Sequence, residues 1–251
     1  MDKLVATILK NNLLDMGVLV VIGTFVIIGL TSGLIFSAFR ILSMFVAAIA
    51  SLSFYEKVAG LVYGTYAETV VNAFIYDGFL SNPEVSAAQY EMNVDNALNG
   101  IIKILKLPKG VAGVIFKKPG SLSEIKRTHI FNDADIVGYF SEQCTKAVIA
   151  LISVIVVYII IRLLISLIKI FLDELASMKM FSLFNFIGGP VLGLVEGIAT
   201  AYVALAFIMA VNIVVQQDFI YDIIDKSRFA RGLYMNNLYL DFVLKRLKLW
   251  G

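Results

Sequence analysis

The sequence predicts an all-α membrane protein with four transmembrane helices as two hairpins, plus amphipathic interfacial helices in an inserted loop and in the C-terminal tail. Composition is the first observation behind this. Of 251 residues 59% are hydrophobic and only 16% are charged, with a mean hydropathy of +0.86; a soluble domain carries about 25% charged residues. The second is the length of the uncharged runs, set against the roughly 20 residues a helix needs to cross the hydrocarbon core. The third is their placement in two pairs with a long polar stretch between them. The chain divides accordingly into an N-terminal transmembrane hairpin (1–55), an amphipathic and polar loop region (56–146), a C-terminal transmembrane hairpin (147–215) and an amphipathic tail (216–251).

The first run, Met16 to Phe39, has no charged side chain. Asp15 opens it, where a carboxylate stabilises a helix N-terminus. Arg40 interrupts, and Ile41 to Tyr55 continues uncharged up to Glu56-Lys57. The second run is short and crosses only with tilt or with snorkelling flanks, so Arg40 is read as the loop between two spans. Ala147 to Ile161, Arg162, and Leu163 to Ile168 make the third span. Its β-branched residues suit a strand, but an isolated strand leaves backbone groups unsatisfied in lipid, and the helix prevails. The fourth run, Phe181 to Gln217, holds one charge, Glu196. Pro190 after Gly188-Gly189 predicts a helix start there, because proline suits the first turn, and an end near Asn212.

In the loop region, Val62, Tyr66, Val70 and Phe74 form one helical face, and Tyr90, Val94, Leu98, Ile101 and Leu105 form another. Both read as helices lying along the membrane surface. Pro108-Lys109-Gly110 and Lys117-Lys118-Pro119-Gly120 read as turns, and Ser121 with Glu124 has the spacing of a capping box. In the tail, Leu240, Val243, Leu244, Leu247 and Trp250 share a face opposite Asp241, Lys245 and Lys248. That helix lies on the membrane or packs on the loop region, with the two readings evenly balanced. Most Lys and Arg residues fall at the N-terminus, in the long loop and in the tail, which places both termini in the cytoplasm.

Several function classes drop out. The net charge of +2, with no basic cluster interleaved with aromatics, argues against nucleic acid. Cys144 and His129 are the only residues of their kinds, so no disulfide, CxxC or His-rich metal site is expected, and no cofactor. Cys144 reads as a packing residue, and Asp133, Asp135 and His129 as solvated. Met1 to Asn12 lacks the pattern of a secretory signal. No Ser/His/Asp order, Walker loop, HExxH or dinucleotide fingerprint is present, and the expectation is a non-enzyme.

The sharpest motif is Gly189-Pro-Val-Leu-Gly193-Leu-Val-Glu-Gly197. Glycines at spacing four line one helix face and let a neighbouring backbone approach closely; Gly29 and Gly33 repeat the spacing once in the first span. Helix packing is the preferred reading, and a broken helix lining a cavity is the competing one. Glu196 is costly in a span unless paired or wet. It lies about two turns past Gly189, near 10 Å by helix rise, so reaching the interface is the preferred reading. An ion pair with Arg40 or Arg162, or a proton-coupling site, is the sharper one.

These features resemble the colicin V production protein family of bacterial inner-membrane proteins. An aspartate opens the first span (Asp15) and a glycine-containing stretch (Gly29, Gly33) leads into a second apolar helix. Asn185 to Gly197 resembles the family's Asp-Arg pair followed by glycines at spacing four. Asn185 and Phe186 stand at the acidic and basic positions, Gly189, Gly193 and Gly197 match, and Glu196 stands where the family often has a basic residue. A serine follows the last span (Ser227). The resemblance covers Asp15–Tyr55 and Ala147–Ser227. It implies a multi-pass protein of the bacterial cytoplasmic membrane, accessory to colicin V export and envelope maintenance, with no established reaction, substrate or cofactor. Its expected partners are membrane lipid and either a second copy of itself or another membrane protein. The competing function is a small transporter or channel component with Glu196 at a polar cavity.

Overall fold

The computed structural model describes residues 13–108, 110–117, 119, 135–172 and 182–247. His129, Asp133, the Ser121–Glu124 pair and Trp250 lie outside them. In chain order the helices are α1 (Leu13–Gly60), α2 (Tyr66–Leu80), α3 (Pro83–Tyr90), α4 (Val94–Leu105), α5 (Val111–Ile115), α6 (Ile136–Leu172), α7 (Ser182–Val215), α8 (Asp218–Lys226), α9 (Phe229–Met235) and α10 (Leu238–Leu244).

The expectation of four spans in two hairpins is overturned. Among the described residues three helices are long and apolar enough to cross a membrane: Leu13–Gly60, Ile136–Leu167 and Ile187–Val215. Arg40 is no loop. It lies inside the 48-residue α1, whose one departure from helical geometry is at Gly33 (φ 78°, ψ 178°), a conformation essentially confined to glycine. The charge failed as a boundary marker because it is neutralised inside the protein, as described below. Gly33 changes the course of α1 along α7. Before it, Ile22, Phe25 and Gly29 meet Gly197, Gly193 and Gly189, with numbers running in opposite senses. After it, Leu34 lies against Gly188 and Arg40 against Glu196, with numbers running in the same sense. The two arms of α1 therefore flank α7.

The expected helix start at Gly189 or Pro190 is also corrected. Helix α7 begins at Ser182 and runs through Pro190. A proline interrupts the backbone ladder, but packed transmembrane helices tolerate it.

Outside the long helices, local chemistry sets the boundaries. Asn82 Oδ1 accepts from the Glu84 and Val85 amides at 2.9 and 3.3 Å to start α3, with Pro83 in its first turn. Asn93 Oδ1 accepts from the Asn96 amide at 3.0 Å to start α4. Asp135, expected to be solvated, instead caps α6 by accepting from the Gly138 amide at 2.7 Å. In α2 the face read as lying on the membrane leaves Tyr66 83% and Phe74 62% exposed, and Ile75 and Phe79 are the residues buried against the protein. The α4 face, read the same way, is instead covered by protein at Ile101 and Leu105, and Tyr90 belongs to α3 and points out.

The core forms where the first half of α6 (Val137, Phe140, Cys144, Val148, Leu151, Val154) meets the loop helices, the tail and α7 (Leu205, Met209, Ile213). Leu240, Val243, Leu244 and Leu247 of the tail are buried in it, so this face packs on the protein rather than on lipid. Asn237 ties α10 to α7: its Nδ2 donates to the Tyr202 carbonyl at 2.8 Å, and its Oδ1 accepts from the Leu240 amide. Lys106 Nζ reaches Asp225 Oδ2 at 2.6 Å, joining the loop region to α8. By contrast Ile159, Ile160, Leu163, Leu164 and Leu167 of α6, Leu42, Phe45 and Ile49 of α1, and Val191, Leu194 and Val195 of α7 are exposed. So much exposed apolar surface marks a membrane-facing belt.

Candidate functional site

Glycine removes the steric obstacle between α1 and α7. A Cβ at Gly29 would run into the Gly189 carbonyl, one at Gly189 into the Gly29 carbonyl, and one at Gly193 into the Phe25 carbonyl. A Cβ at Gly197 would lie 2.8 Å from Ile22 Cα. The obstacles are backbone atoms, which do not rotate aside. The five glycines singled out from the sequence thus meet in one place, four at the close contact and Gly33 at the break beside it.

Glu196, on the same stretch of α7, is shut off from solvent: it is 0% exposed. The interfacial reading of this residue is therefore wrong. Its Oε2 accepts from Arg40 Nε at 2.7 Å and its Oε1 from Arg162 Nη2 at 2.8 Å. Sequence reasoning offered Arg40 or Arg162 as alternatives; both are partners. Their side chains are 13% and 22% exposed. Ser37 Oγ accepts from Arg40 Nη2 at 3.1 Å, and Tyr158 Oη from Arg162 Nη1 at 3.4 Å. Ser37 and Tyr158 were missed, although each stands three or four residues before its arginine, on the same helix face. Two arginines against one glutamate leave the cluster with a net charge of +1. Among the described residues Arg40 Nη1 is buried with no hydrogen-bond partner.

Asp15 does more than open α1. Its Oδ2 accepts from the Arg228 amide at 3.0 Å and its Oδ1 from the Ala230 amide at 2.7 Å, so it caps α9 across 213 and 215 positions of sequence. Ser227, which is buried, donates its hydroxyl to the Ile223 carbonyl at 2.8 Å at the end of α8. Asp15 and Ser227 thus share one corner, away from Glu196. Asn185 lies in the first turn of α7, and its side chain is outside the described residues. Among the described residues no group of three His, Cys, Asp or Glu side chains is placed to hold a metal.

Beside the cluster, α1, α6, α7 and α10 enclose an apolar groove of about 400 Å³. Met44 and Ala48 line it one and two turns beyond Arg40, and Tyr158 lines it one turn before Arg162. Tyr239 contributes its ring, packed edge-on to Tyr158 with centroids 6.2 Å apart. Burial pushes the Tyr239 phenol well above the ordinary tyrosine range.

Residues 131–238 match the model of the colicin V production protein family. The matched stretch holds Asn185, Gly189, Gly193, Glu196, Gly197 and Ser227, with Arg162 and Tyr158; Asp15, Gly29, Gly33 and Arg40 lie before it. No curated protein and no solved structure matches the chain. The C-terminal part of the chain is thus similar to the colicin V production family, and with the three membrane-length helices this supports a membrane-associated protein.

Proposed function

We propose that the protein is a non-enzymatic, multi-pass scaffold of the bacterial cytoplasmic membrane, accessory to secretion or envelope maintenance, with its termini in the cytoplasm. One observation carries the choice over a transporter: both Glu196 oxygens are taken by arginines and the residue has no exposed surface. A coupling carboxylate must exchange protons or ions with water during its cycle, whereas a structural one need only be neutralised. The close glycine contact supports the same reading, since it fixes the two long helices to each other. The likeness of residues 131–238 to the colicin V production family supports the bacterial membrane and an accessory role.

Two experiments test this. Purified protein in liposomes should pass protons and monovalent ions no faster than empty liposomes; wild-type flux abolished by Glu196→Gln would establish the transporter instead. In cells, deletion should impair export of a secreted reporter or weaken the envelope, and wild type should restore it; a deletion with neither effect would sink the accessory role. Cysteine-accessibility labelling in the Glu56–Lys146 loop reports the orientation.

A further inference from the structure

We propose that Arg40 and Arg162 bind the phosphate of an anionic phospholipid, one of whose acyl chains lies in the groove between α1, α6, α7 and α10. This does not rest on the scaffold reading: a transporter would carry the same site.

The charge argument comes first. Glu196 offsets only one of two guanidinium charges, and an uncompensated charge inside low-dielectric surroundings is expensive. The bonds named above occupy Arg40 Nε and Nη2 and Arg162 Nη1 and Nη2. Among the described residues Arg40 Nη1 is left buried and without an acceptor, and Arg162 retains exposed surface. The missing partner is an acceptor with negative charge, and phosphate oxygens suit a guanidinium fork.

Position selects a lipid over a free anion. In this proposal the break at Gly33 lies near the membrane surface; Arg40, seven residues past it and about 10 Å along the helix, is then within reach of a headgroup drawn toward the cation and a snorkelling side chain. From the cluster, the groove runs away from that end of the bundle: Met44 and Ala48 lie further along α1, Ala199 and Tyr202 further along α7. Its rim carries Phe45, Ile49 and Val195, all exposed on the lipid-facing belt. Tyr239 and Phe242 of the tail also line it. A charged end near the interface with an apolar slot leading inward has the polarity of one phospholipid.

The test uses the full chain, delipidated in detergent, with thermal stability followed during titration with dioleoyl phosphatidylglycerol, dioleoyl phosphatidylcholine or inorganic phosphate. Hydrogen bonds to a charged partner contribute on the order of 1.5–3 kcal/mol, so phosphatidylglycerol should act at concentrations about tenfold or more below phosphatidylcholine. Inorganic phosphate should act far more weakly than either lipid. Arg162→Gln should erase the preference for the anionic lipid, and Ala48→Phe, which fills the groove, should weaken both lipids. Equal potency of the two lipids on wild type would reduce the site to ordinary annular contact and overturn the proposal. Phosphate as potent as the anionic lipid would make it a free-anion site and overturn it too, as would an Arg162→Gln protein that keeps the preference. The wild-type titrations decide even where a variant fails to fold.

Discussion

Replacing Glu196 with glutamine keeps the shape and an acceptor oxygen but removes the only negative charge among three buried or partly buried ions. The cluster goes from +1 to +2, with Arg40 and Arg162 side by side and no counter-charge among the described residues. Breaking a buried pair by deleting one partner costs about 3–5 kcal/mol. Arg40 and Arg162 keep 13% and 22% of their side-chain surface, and they relax outward by snorkelling, so the lower end, about 3 kcal/mol, is expected. Arg162→Gln takes the cluster the other way, from +1 to 0, leaving the Arg40–Glu196 pair intact at 2.7 Å. It loses the short bond to Glu196 and the long one to Tyr158 but relieves the excess charge, so a cost of about 1 kcal/mol is expected. Equilibrium unfolding in mixed micelles of a mild and a denaturing detergent measures both. The ranking is the strict part: a protein hurt more by Arg162→Gln than by Glu196→Gln would show that the excess positive charge carries no cost, and the electrostatic account would fail.

Gly193→Leu should cost about 3 kcal/mol or more, because its Cβ meets the Phe25 carbonyl, while Gly17→Ala, with no atom within 4 Å of its Cβ, should change little; the same unfolding assay compares them. Asp15→Ala removes the acceptor for the Arg228 and Ala230 amides and should cost about 1 kcal/mol, seen as faster hydrogen exchange in α9. Burial raises the Tyr234 phenol above its ordinary value of 10.0. A group whose folded pKa is raised contributes stability below the unfolded value and loses it above, so stability should fall as pH rises beyond 10.0, and phenolate absorbance should report less of this fall in Tyr234→Phe.

What the sequence reveals follows from how local each cause is. Hydrophobic runs and glycine spacing are local, and they locate α1, α6, α7 and the close contact. Arg40 misleads because its partner Glu196 stands 156 positions away; a neutralised charge inside the bundle and a solvated one in a loop look alike in one dimension. The true break, Gly33, carries no such mark, since Gly29 at the same spacing stays helical. Pro190 misleads for a related reason, as tertiary packing supports a helix through it. Tyr66 and Phe74 of α2 face outward while Ile101 and Leu105 of α4 are covered by protein, because periodicity names an apolar face without naming what covers it. Asp15 was readable as a helix-terminal carboxylate, but the helix it serves is α9 as well as α1.

The glycines and the charges form one device, and this is testable. Glu196 is flanked by Gly193 one turn earlier and by Gly197 next to it, both pressed against the first arm of α1. By helix geometry that arm packs on the face of α7 next to the carboxylate. Gly197→Ala places a Cβ 2.8 Å from Ile22 Cα and 3.1 Å from its carbonyl oxygen, so the arm must shift outward and admit water. Water screens the leftover charge, so Glu196→Gln should cost less in a Gly197→Ala background than in wild type. A double-mutant cycle should then return a coupling of about 0.5–2 kcal/mol, the range for residues sharing a site. Strict additivity would mean that close approach and charge burial are separate properties of α7, and that the glycines serve packing alone.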